Sequence, residues 1–205
     1  MALVVADLRQ NPRPPACRQC GFTLIELMVT VAVLAIVLTV AVPSFANLVN
    51  GNRLTAQAND MLAGLILART EAIKQNQSML FCHSSDGETC SGAPAAGWQG
   101  WLVRGTVDTT PIATGMMQSA NLKILSSTNV ANATFDSTGH SIRFSPQGLI
   151  RSGNGNNVLN GVIRICLPDN QINPNSRDLE LRSGGRTRVV SNNVAESCPT
   201  PADPA

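Results

Sequence analysis

The chain has 205 residues, of which 43% are hydrophobic, and a formal net charge of +2. A chain of this length and composition can bury a sizeable core of its own, and we expect one domain with an appendage. The two ends differ in character, because residues 22–42 are apolar apart from Glu26 and threonines, whereas the sequence after residue 74 is rich in Gly, Asn, Ser and Thr.

The apolar run at residues 22–42 has the length of a membrane-spanning helix. It would form a helix of roughly 30 Å, which is the thickness of a bilayer core. Arg9, Arg13 and Arg18 precede the run and only Asp7 opposes them, so the positive-inside bias keeps the N-terminus in the cytoplasm. The sequence therefore predicts a single-pass membrane protein with the rest of the chain outside the cytoplasm, which in a bacterium means an inner-membrane protein with a periplasmic head.

A cleaved secretory signal is the alternative interpretation of this run, with cleavage after small residues such as Ala46. Glu26 argues against it, because a charge costs about 2.5–3.5 kcal/mol at the centre of a membrane helix and a simple signal gains nothing from it. No Lys, Arg or His lies between Phe22 and Asn52. A cationic partner for Glu26 therefore has to come from another chain or from a new amino terminus.

The residues around Glu26 resemble a known processing signal. The stretch GFTLIE, which begins at Gly21, is similar to the class III signal of type IV prepilins and type II secretion pseudopilins. That resemblance implies cleavage between Gly21 and Phe22 by prepilin peptidase, N-methylation of Phe22, and loss of residues 1–21 as a leader. Cys17 and Cys20 would leave with the leader, so their CxxC spacing is assigned no chemistry.

Cleavage would give Glu26 its partner, since it creates a charged amine on Phe22. The carboxylate of one subunit can pair with the amine of a neighbour as the two slide together in lipid. Leaving one member of a buried pair alone costs about 3–5 kcal/mol, so wrong axial registers are penalised. We therefore interpret Glu26 as the residue that sets the register of filament assembly.

The N-terminal helix is expected to continue beyond the membrane to about residue 76, kinked at Pro43 and loosened at Gly51. From residue 54 onward, apolar residues recur at helical spacing. They are Leu54, Ala58, Met61, Leu62, Leu65, Ala68, Ala72 and Ile73. Such a stripe favours burial against the chain's own core, with a partner's groove as the alternative.

Residues 77–198 change to short strand-like runs separated by Gly, Asn, Pro and Ser. The runs lie at residues 78–83, 98–104, 122–125, 133–136, 141–145, 162–167, 178–182 and 186–190. They predict an antiparallel β-sandwich-like head packed on the long helix, a pilin-like α+β fold. Trp98 and Trp101 are expected to anchor its core or edge. Residues 199–205 are expected to form an irregular tail held only by Cys198.

Four cysteines remain in the exported part, and an oxidising compartment allows two disulfides among them. Three connectivities are open. Sequence proximity favours Cys82 with Cys90 and Cys166 with Cys198. A zinc site at Cys82, His83 and Cys90 has poor spacing and lacks a convincing fourth ligand.

No motif in the sequence indicates an enzyme. His83 and His140 are isolated, no nucleophile stands in a nucleophile-elbow or Cys-His context, and no glycine loop has the spacing that cradles phosphate. We expect no catalytic residue, no metal, no cofactor and no small-molecule substrate.

Positive charge gathers near the C-terminus, in the stretch DLELRSGGRTRVV. A three-residue loop at residues 183–185 would place the two leucines on one mostly apolar face of a hairpin and the charges on the other. Glu180 then opposes Arg188, while Arg182 opposes Arg186. The like-charge pair costs stability unless an anion or solvent relieves it. Such arginines bind the phosphate backbone of a nucleic acid favourably, because binding releases counterions.

Four further runs, GWQGWLVR, IRFSPQG, VIRICLP and GRTR, resemble in that order the GspH/FimT/FimU family of minor pilins and pseudopilins, over residues 21–190. Membership implies a low-abundance filament subunit, acting near the tip or in priming assembly, with other pilins as partners. In DNA-uptake members of the FimT group, a GRxR motif is implicated in binding incoming DNA, and residues 185–188 match it.

Two functions therefore stay open. One is a structural subunit of a type IV pilus on the cell surface or of a type II secretion pseudopilus in the periplasm, two machines that the same stem and head serve. The other is a pilus-displayed receptor that binds DNA through Arg182, Arg186 and Arg188.

Overall fold

The computed structural model describes residues 21–153, 155, 157–168 and 172–204. Two compact units divide the chain, Met1–Val42 and Pro43–Ala205. A helix, α1 (Leu24–Lys74), contributes to both units, and every strand of the described residues belongs to the second. The predictions for residues 1–20 of the leader lie outside the described residues.

Within these residues nine strands and a short second helix follow α1. They are β1 (Met79–His83), β2 (Gly100–Gly105), β3 (Pro111–Met116), β4 (Lys123–Ser126), α2 (Thr128–Ala131), β5 (Ser141–Phe144), β6 (Ile150–Ser152), β7 (Gly161–Cys166), β8 (Ser176–Arg182) and β9 (Arg186–Asn192). The long helix followed by antiparallel strands confirms the α+β, pilin-like fold class.

The strands form two antiparallel sheets. The first has five strands in the order β3-β2-β1-β5-β6, with Phe81 of the central β1 opposite Val103 on one side and Ile142 on the other. The second has four strands in the order β4-β7-β8-β9 and reaches its outer edge at β9. Every residue of β1 is buried, in keeping with its place at the centre of the first sheet.

The second half of α1 buries one face in the core that it shares with both sheets. Its buried positions are Leu54, Gln57, Ala58, Met61, Gly64, Leu65, Ala68 and Ala72. The predicted stripe is confirmed at most of its positions. Two of the predicted positions differ, because Leu62 is only partly buried and Ile73 is 52% exposed. Gln57 and Gly64 are buried although the stripe omits them, and the side-chain oxygen of Gln57 accepts a hydrogen bond from the backbone N–H of Gln118.

The end of α1 is set by its local sequence. Asn76 adopts a positive φ of 51°, and the backbone N–H groups of Asn76 and Gln77 donate to the carbonyls of Ile73 and Ala72. This pair of hydrogen bonds is the Schellman arrangement, in which asparagine can replace glycine as the left-handed residue. The helix therefore ends at Lys74, close to the expected end at residue 76.

Three aromatic rings fill the core beside α1. Phe81 stacks on Trp98 and Trp101, with ring centroids 5.9 and 5.5 Å apart. Helix and sheet approach closely here because residue 64 is glycine: a Cβ at Gly64 would lie 2.7 Å from the Trp101 ring. Both tryptophans are buried, so the prediction that they anchor the core is confirmed.

The predicted strand at residues 133–136 is wrong. Phe135 makes only an isolated bridge to Thr138, and the residues between them, Asp136 and Ser137, have positive φ and turn the chain. The sequence also did not predict β3 or β6. The β3 sequence PIATGM lacks regular alternation and forms an exposed edge, and β6 has only three residues.

The C-terminal tail is irregular, but it is held by more than Cys198. The guanidinium of Arg164 donates to the backbone carbonyl of Pro199 over 3.0 Å, and the backbone N–H of Asn129 donates to the carboxylate of Asp203. The expectation that the disulfide alone fixes the tail is therefore wrong.

Candidate functional site

The first candidate site is the start of α1, where Gly21 and Phe22 precede the helix. The hydroxyl of Thr23 accepts a hydrogen bond of 3.3 Å from the backbone N–H of Glu26, three residues further on. Thr23 is thus the N-cap, and Glu26 stands at the third helical position, as in a capping box. A carboxylate in the first turn also interacts favourably with the helix dipole.

Around Glu26 the helix surface is apolar on every side. Residues 21–46 are all exposed, and Phe22 is exposed over 81% of its surface. Among the described residues α1 is the one helix long and apolar enough to cross a membrane, by length and composition. No ion pair of Glu26 occurs within the part of the chain that the structure describes. A helix that is apolar all round needs lipid or protein around it.

The second candidate site is the hairpin of β8 and β9. Its register pairs Glu180 with Arg188 and Arg182 with Arg186, as the three-residue loop predicts. Gly185 takes the positive φ of 77° that this turn requires, and its N–H donates to the Arg182 carbonyl. Leu179 and Leu181 are buried on the inward face, so the predicted register and faces are confirmed.

Glu180 relieves the repulsion among the hairpin arginines. Its carboxylate accepts a hydrogen bond of 2.9 Å from Arg188 and lies 3.6 Å from a guanidinium nitrogen of Arg182. The hydrogen bond from Arg188 lowers the pKa of Glu180, and the same bond raises the pKa of Arg188. The anion that relieves the like-charge pair is therefore Glu180 of the hairpin itself. Its carboxylate contacts Arg182 and Arg188.

A fourth arginine, Arg69 of α1, joins this cluster from the helix. Its Nε atom is buried and lacks a hydrogen-bond partner among the described residues, and it lies 2.9 Å from where a Cβ on Gly185 would stand. A groove of about 830 Å³ separates this part of α1 from the start of β9 and includes Arg182, Arg186 and Arg188 in its lining. Arg69 is distant from the hairpin in the sequence, and only the tertiary fold brings it there.

The structure contains the two disulfides that sequence proximity favours. Cys82 is bonded to Cys90 across a short loop, and Cys166 at the end of β7 is bonded to Cys198 in the tail. Since these four sulfur atoms are bonded in two pairs, they are not available as metal ligands.

The expectation that His83 and His140 are isolated is wrong. Both rings lie edge-on to Trp98, with centroids 5.8 and 5.9 Å from it. Burial lowers the pKa of both histidines, and the nearby His83 lowers that of His140 further. Within the described residues no three His, Cys, Asp or Glu side chains cluster as metal ligands.

The fold and the start of the chain define a class of protein: a pilin-like protein with an apolar N-terminal helix long enough to cross a membrane and a β-rich head. Residues 17–42 match the prokaryotic N-terminal methylation motif. The family described as type II transport protein GspH matches residues 57–191, which is more than half of the chain. The chain belongs to the GspH family.

Two crystal structures are similar to this chain, both of the type IV minor pilin FimU of Pseudomonas aeruginosa PAO1. The structure in space group P21 has 18% sequence identity and a TM-score of 0.46, covering 75% of this chain and 93% of that one. The structure in space group P65 has 17% identity and a TM-score of 0.44, covering 74% and 97%. No curated protein matches the chain.

Proposed function

We propose that this protein is a structural subunit of a type IV pilus or of a type II secretion filament. It is cleaved between Gly21 and Phe22 by prepilin peptidase, N-methylated on Phe22 and assembled with other pilins through α1. One observation carries the proposal: in an exposed apolar helix start, the single charged side chain is Glu26, four residues beyond the new amino terminus.

Glu26 has two roles in this proposal. In the single chain it occupies the third helical position, where its charge favours the N-terminus of α1. In the filament it pairs with the ammonium group that cleavage creates on Phe22 of a neighbour. An unpaired member of a buried pair costs about 3–5 kcal/mol, so only one axial register satisfies both charges.

The proposed topology follows from charge and redox chemistry. Arg9, Arg13 and Arg18 keep the N-terminus in the cytoplasm, where the peptidase acts, and the head lies in the periplasm. The disulfide between Cys82 and Cys90 supports this placement, because such bonds persist in oxidising compartments. After assembly the head is displayed on a cell-surface pilus or on a periplasmic pseudopilus.

Mass spectrometry of the protein from its native host tests the processing step. We expect a mature chain that begins at N-methylated Phe22. Glu26→Gln, which keeps the shape but not the charge, should be cleaved normally and should be largely lost from purified filaments, whereas Glu26→Asp retains part of the incorporation. A mature end at another residue, or filaments that accept the Gln variant as readily as the wild type, would contradict the proposal.

A second function, DNA binding by the filament, is favoured by the charge balance of the β8–β9 hairpin. Glu180 engages Arg188 and Arg182, but Arg186 is exposed and makes no ion pair within the described residues. Residues 179–188 of the hairpin hold three arginines against one carboxylate, which leaves a local excess of two positive charges for phosphates.

A gel-shift titration with the full chain in detergent micelles tests this second function. Arg186→Gln combined with Arg188→Gln should weaken the retention of duplex DNA and reduce the slope of log affinity against log salt by about 0.9 for each phosphate that the variant no longer neutralises. Arg53→Gln is the matched control, because Arg53 is an exposed arginine on α1 that lies outside the hairpin. Salt-independent retention, or equal weakening in the hairpin variant and the control, would argue against DNA binding.

A further inference from the structure

A groove of about 830 Å³ runs between α1 and the start of β9 in the second unit. Leu65 and Phe144 lie at its floor and are almost fully buried. Ile66 and Ile73 stand on its helix wall with 51% and 52% of their surfaces exposed. They are seven residues apart, so they lie on the same face of the helix, two turns from each other.

Such exposed isoleucines are unusual here, because this part of α1 packs on the head and takes no part in the apolar segment before Val42. The predicted stripe along α1 has its own core to bury against, and Ile73 is the member that the core leaves out. Together with Ile66 it offers apolar surface that gains free energy only when another molecule covers it.

The rim of the groove is cationic, and two of its arginines, Arg69 and Arg186, have donors that Glu180 does not engage. Arg69 lies between the two isoleucines in the sequence, and its buried Nε makes no hydrogen bond within the described residues. A buried donor without a partner is costly, and a guanidinium forms its strongest bonds with carboxylates or phosphates. Arg186 is exposed on the opposite wall, also without an ion pair in the described part of the chain.

The β9 wall adds a third feature, a free strand edge. β9 is the last strand of the four-stranded sheet, and Thr187 on this strand lines the groove. An edge strand keeps a row of N–H and C=O groups that its own sheet does not pair. An extended segment can add to such an edge, with alternate side chains entering the pockets beside it.

We propose that this groove docks an extended segment of a neighbouring filament subunit, in which carboxylates that meet Arg69 and Arg186 alternate with apolar side chains that cover Ile66 and Ile73. The inference rests on the proposed function as a filament subunit and names the chemistry of the contact.

The groove's own composition favours a protein over a nucleic acid. Phosphates would use the arginines but gain nothing from exposed isoleucines, and bases need aromatic side chains on which to stack. The one aromatic residue in the lining, Phe144, is 1% exposed and so offers no stacking surface. A segment with both apolar and acidic side chains uses every feature of the groove.

Photocrosslinking in the native host tests the inference with the full chain. A benzoylphenylalanine replaces Ile73 in the groove and, as the control, Val107, which is 84% exposed in the loop between β2 and β3. We expect irradiation of the Ile73 variant to give an adduct whose partner, identified by mass spectrometry, is another pilin attached through a segment that contains Asp or Glu.

Charge variants show whether the arginine selects that partner. Arg69→Gln should lower the yield of the Ile73 adduct by about tenfold, the loss expected for one hydrogen-bonded charge pair, and Arg53→Gln should leave it unchanged. An adduct with nucleic acid, an equal yield from Val107, or no effect of Arg69→Gln would overturn the inference.

The mature N-terminus is read from the same sample, which separates the two proposals. A chain that is not processed at Phe22 overturns the proposed function and the groove proposal with it. A processed, filament-borne chain that gives no adduct overturns the groove proposal alone.

Discussion

The indole N–H of Trp101 donates a hydrogen bond to the carboxylate of Asp60, 2.8 Å away. Trp101 belongs to β2 and is 5% exposed, and Asp60 stands on α1, so the bond joins the helix to the five-stranded sheet. Gly115 keeps room for the ring, since a Cβ there would lie 2.5 Å from it. The bond satisfies the one polar atom of a side chain that is otherwise apolar.

Asp60→Ala should therefore destabilise the head. The substitution leaves the indole N–H buried without an acceptor, which costs about 1–3 kcal/mol. Asp60→Asn keeps an acceptor oxygen and should lose less. Thermal unfolding of the full chain in detergent measures both, with the exposed neighbour Asn59→Ala as the control. If Asp60→Ala unfolds at the same temperature as Asn59→Ala, the bond contributes nothing.

We expect the head to lose much of its stability when the ion pair of Arg164 and Asp178 is broken. Two hydrogen bonds of 2.8 and 2.7 Å join the side chains across β7 and β8, and both are nearly buried. Arg164→Met leaves the carboxylate buried with a hydrogen bond only from Asn192 among the described residues, and it also releases the Pro199 carbonyl. Breaking such a pair costs about 3–5 kcal/mol.

Replacing Lys74 by Ala provides the comparison for that variant, because Lys74 pairs with Glu71 at the exposed end of α1. Exposed pairs contribute little to stability, so this variant should unfold like the wild type in the same denaturant titration. Equal stability of the Arg164→Met and Lys74→Ala variants would show that the Arg164 pair is as weak as a surface one.

Adjacent glycines of the β8–β9 loop should respond differently to alanine. At Gly185 the φ of 77° disfavours any side chain, and a Cβ would lie 2.1 Å from the Gly148 carbonyl oxygen. At Gly184 nothing lies within 4 Å of the added carbon. Gly185→Ala should lower the free energy of unfolding by about 1–3 kcal/mol, the usual cost of a strained backbone. Gly184→Ala should have almost no effect, and a similar loss in both variants would contradict this account of the turn.

Features of the fold that depend on residues close together in the sequence were predictable. The register of β8 and β9 was predictable because three loop residues fix which side chains face each other. The stripe from Leu54 was predictable because one face of a helix must be apolar to be buried. In both cases the information lies within a few residues of the feature.

Features that depend on distant segments were not predictable in this way. Arg69 meets Gly185 only because α1 packs beside the hairpin, and His83 meets His140 only because β1 pairs with β5, where the backbone N–H of His83 donates to the carbonyl of His140. The capping arrangement of Thr23 and Glu26 was not predicted either, although its Thr-x-x-Glu spacing is local and is a sequence signal for a helix start.

The two histidines beside Trp98 make stability depend on pH. Burial lowers the pKa of both below the ordinary value of 6.5. As the pH falls through that value, the unfolded chain therefore binds more protons than the folded chain. Their contribution is complete above the unfolded pKa and declines as the pH falls from 6.5 toward the folded values. Each histidine changes the free energy of unfolding by at most about 1.4 kcal/mol per pH unit in that range.

We therefore expect the melting temperature of the full chain in detergent to fall between pH 7 and pH 5. The carboxyl groups of Glu180 and Asp108 have lowered pKa values, because hydrogen bonds from Arg188 and from the backbone of Thr110 favour their charged forms. Their contributions are lost only at lower pH, so this interval isolates the histidines. A variant with both His83→Gln and His140→Gln should show a much shallower slope across the interval. A wild-type melting temperature that stays constant or rises on acidification would mean that the buried rings accept protons as readily as the unfolded chain does.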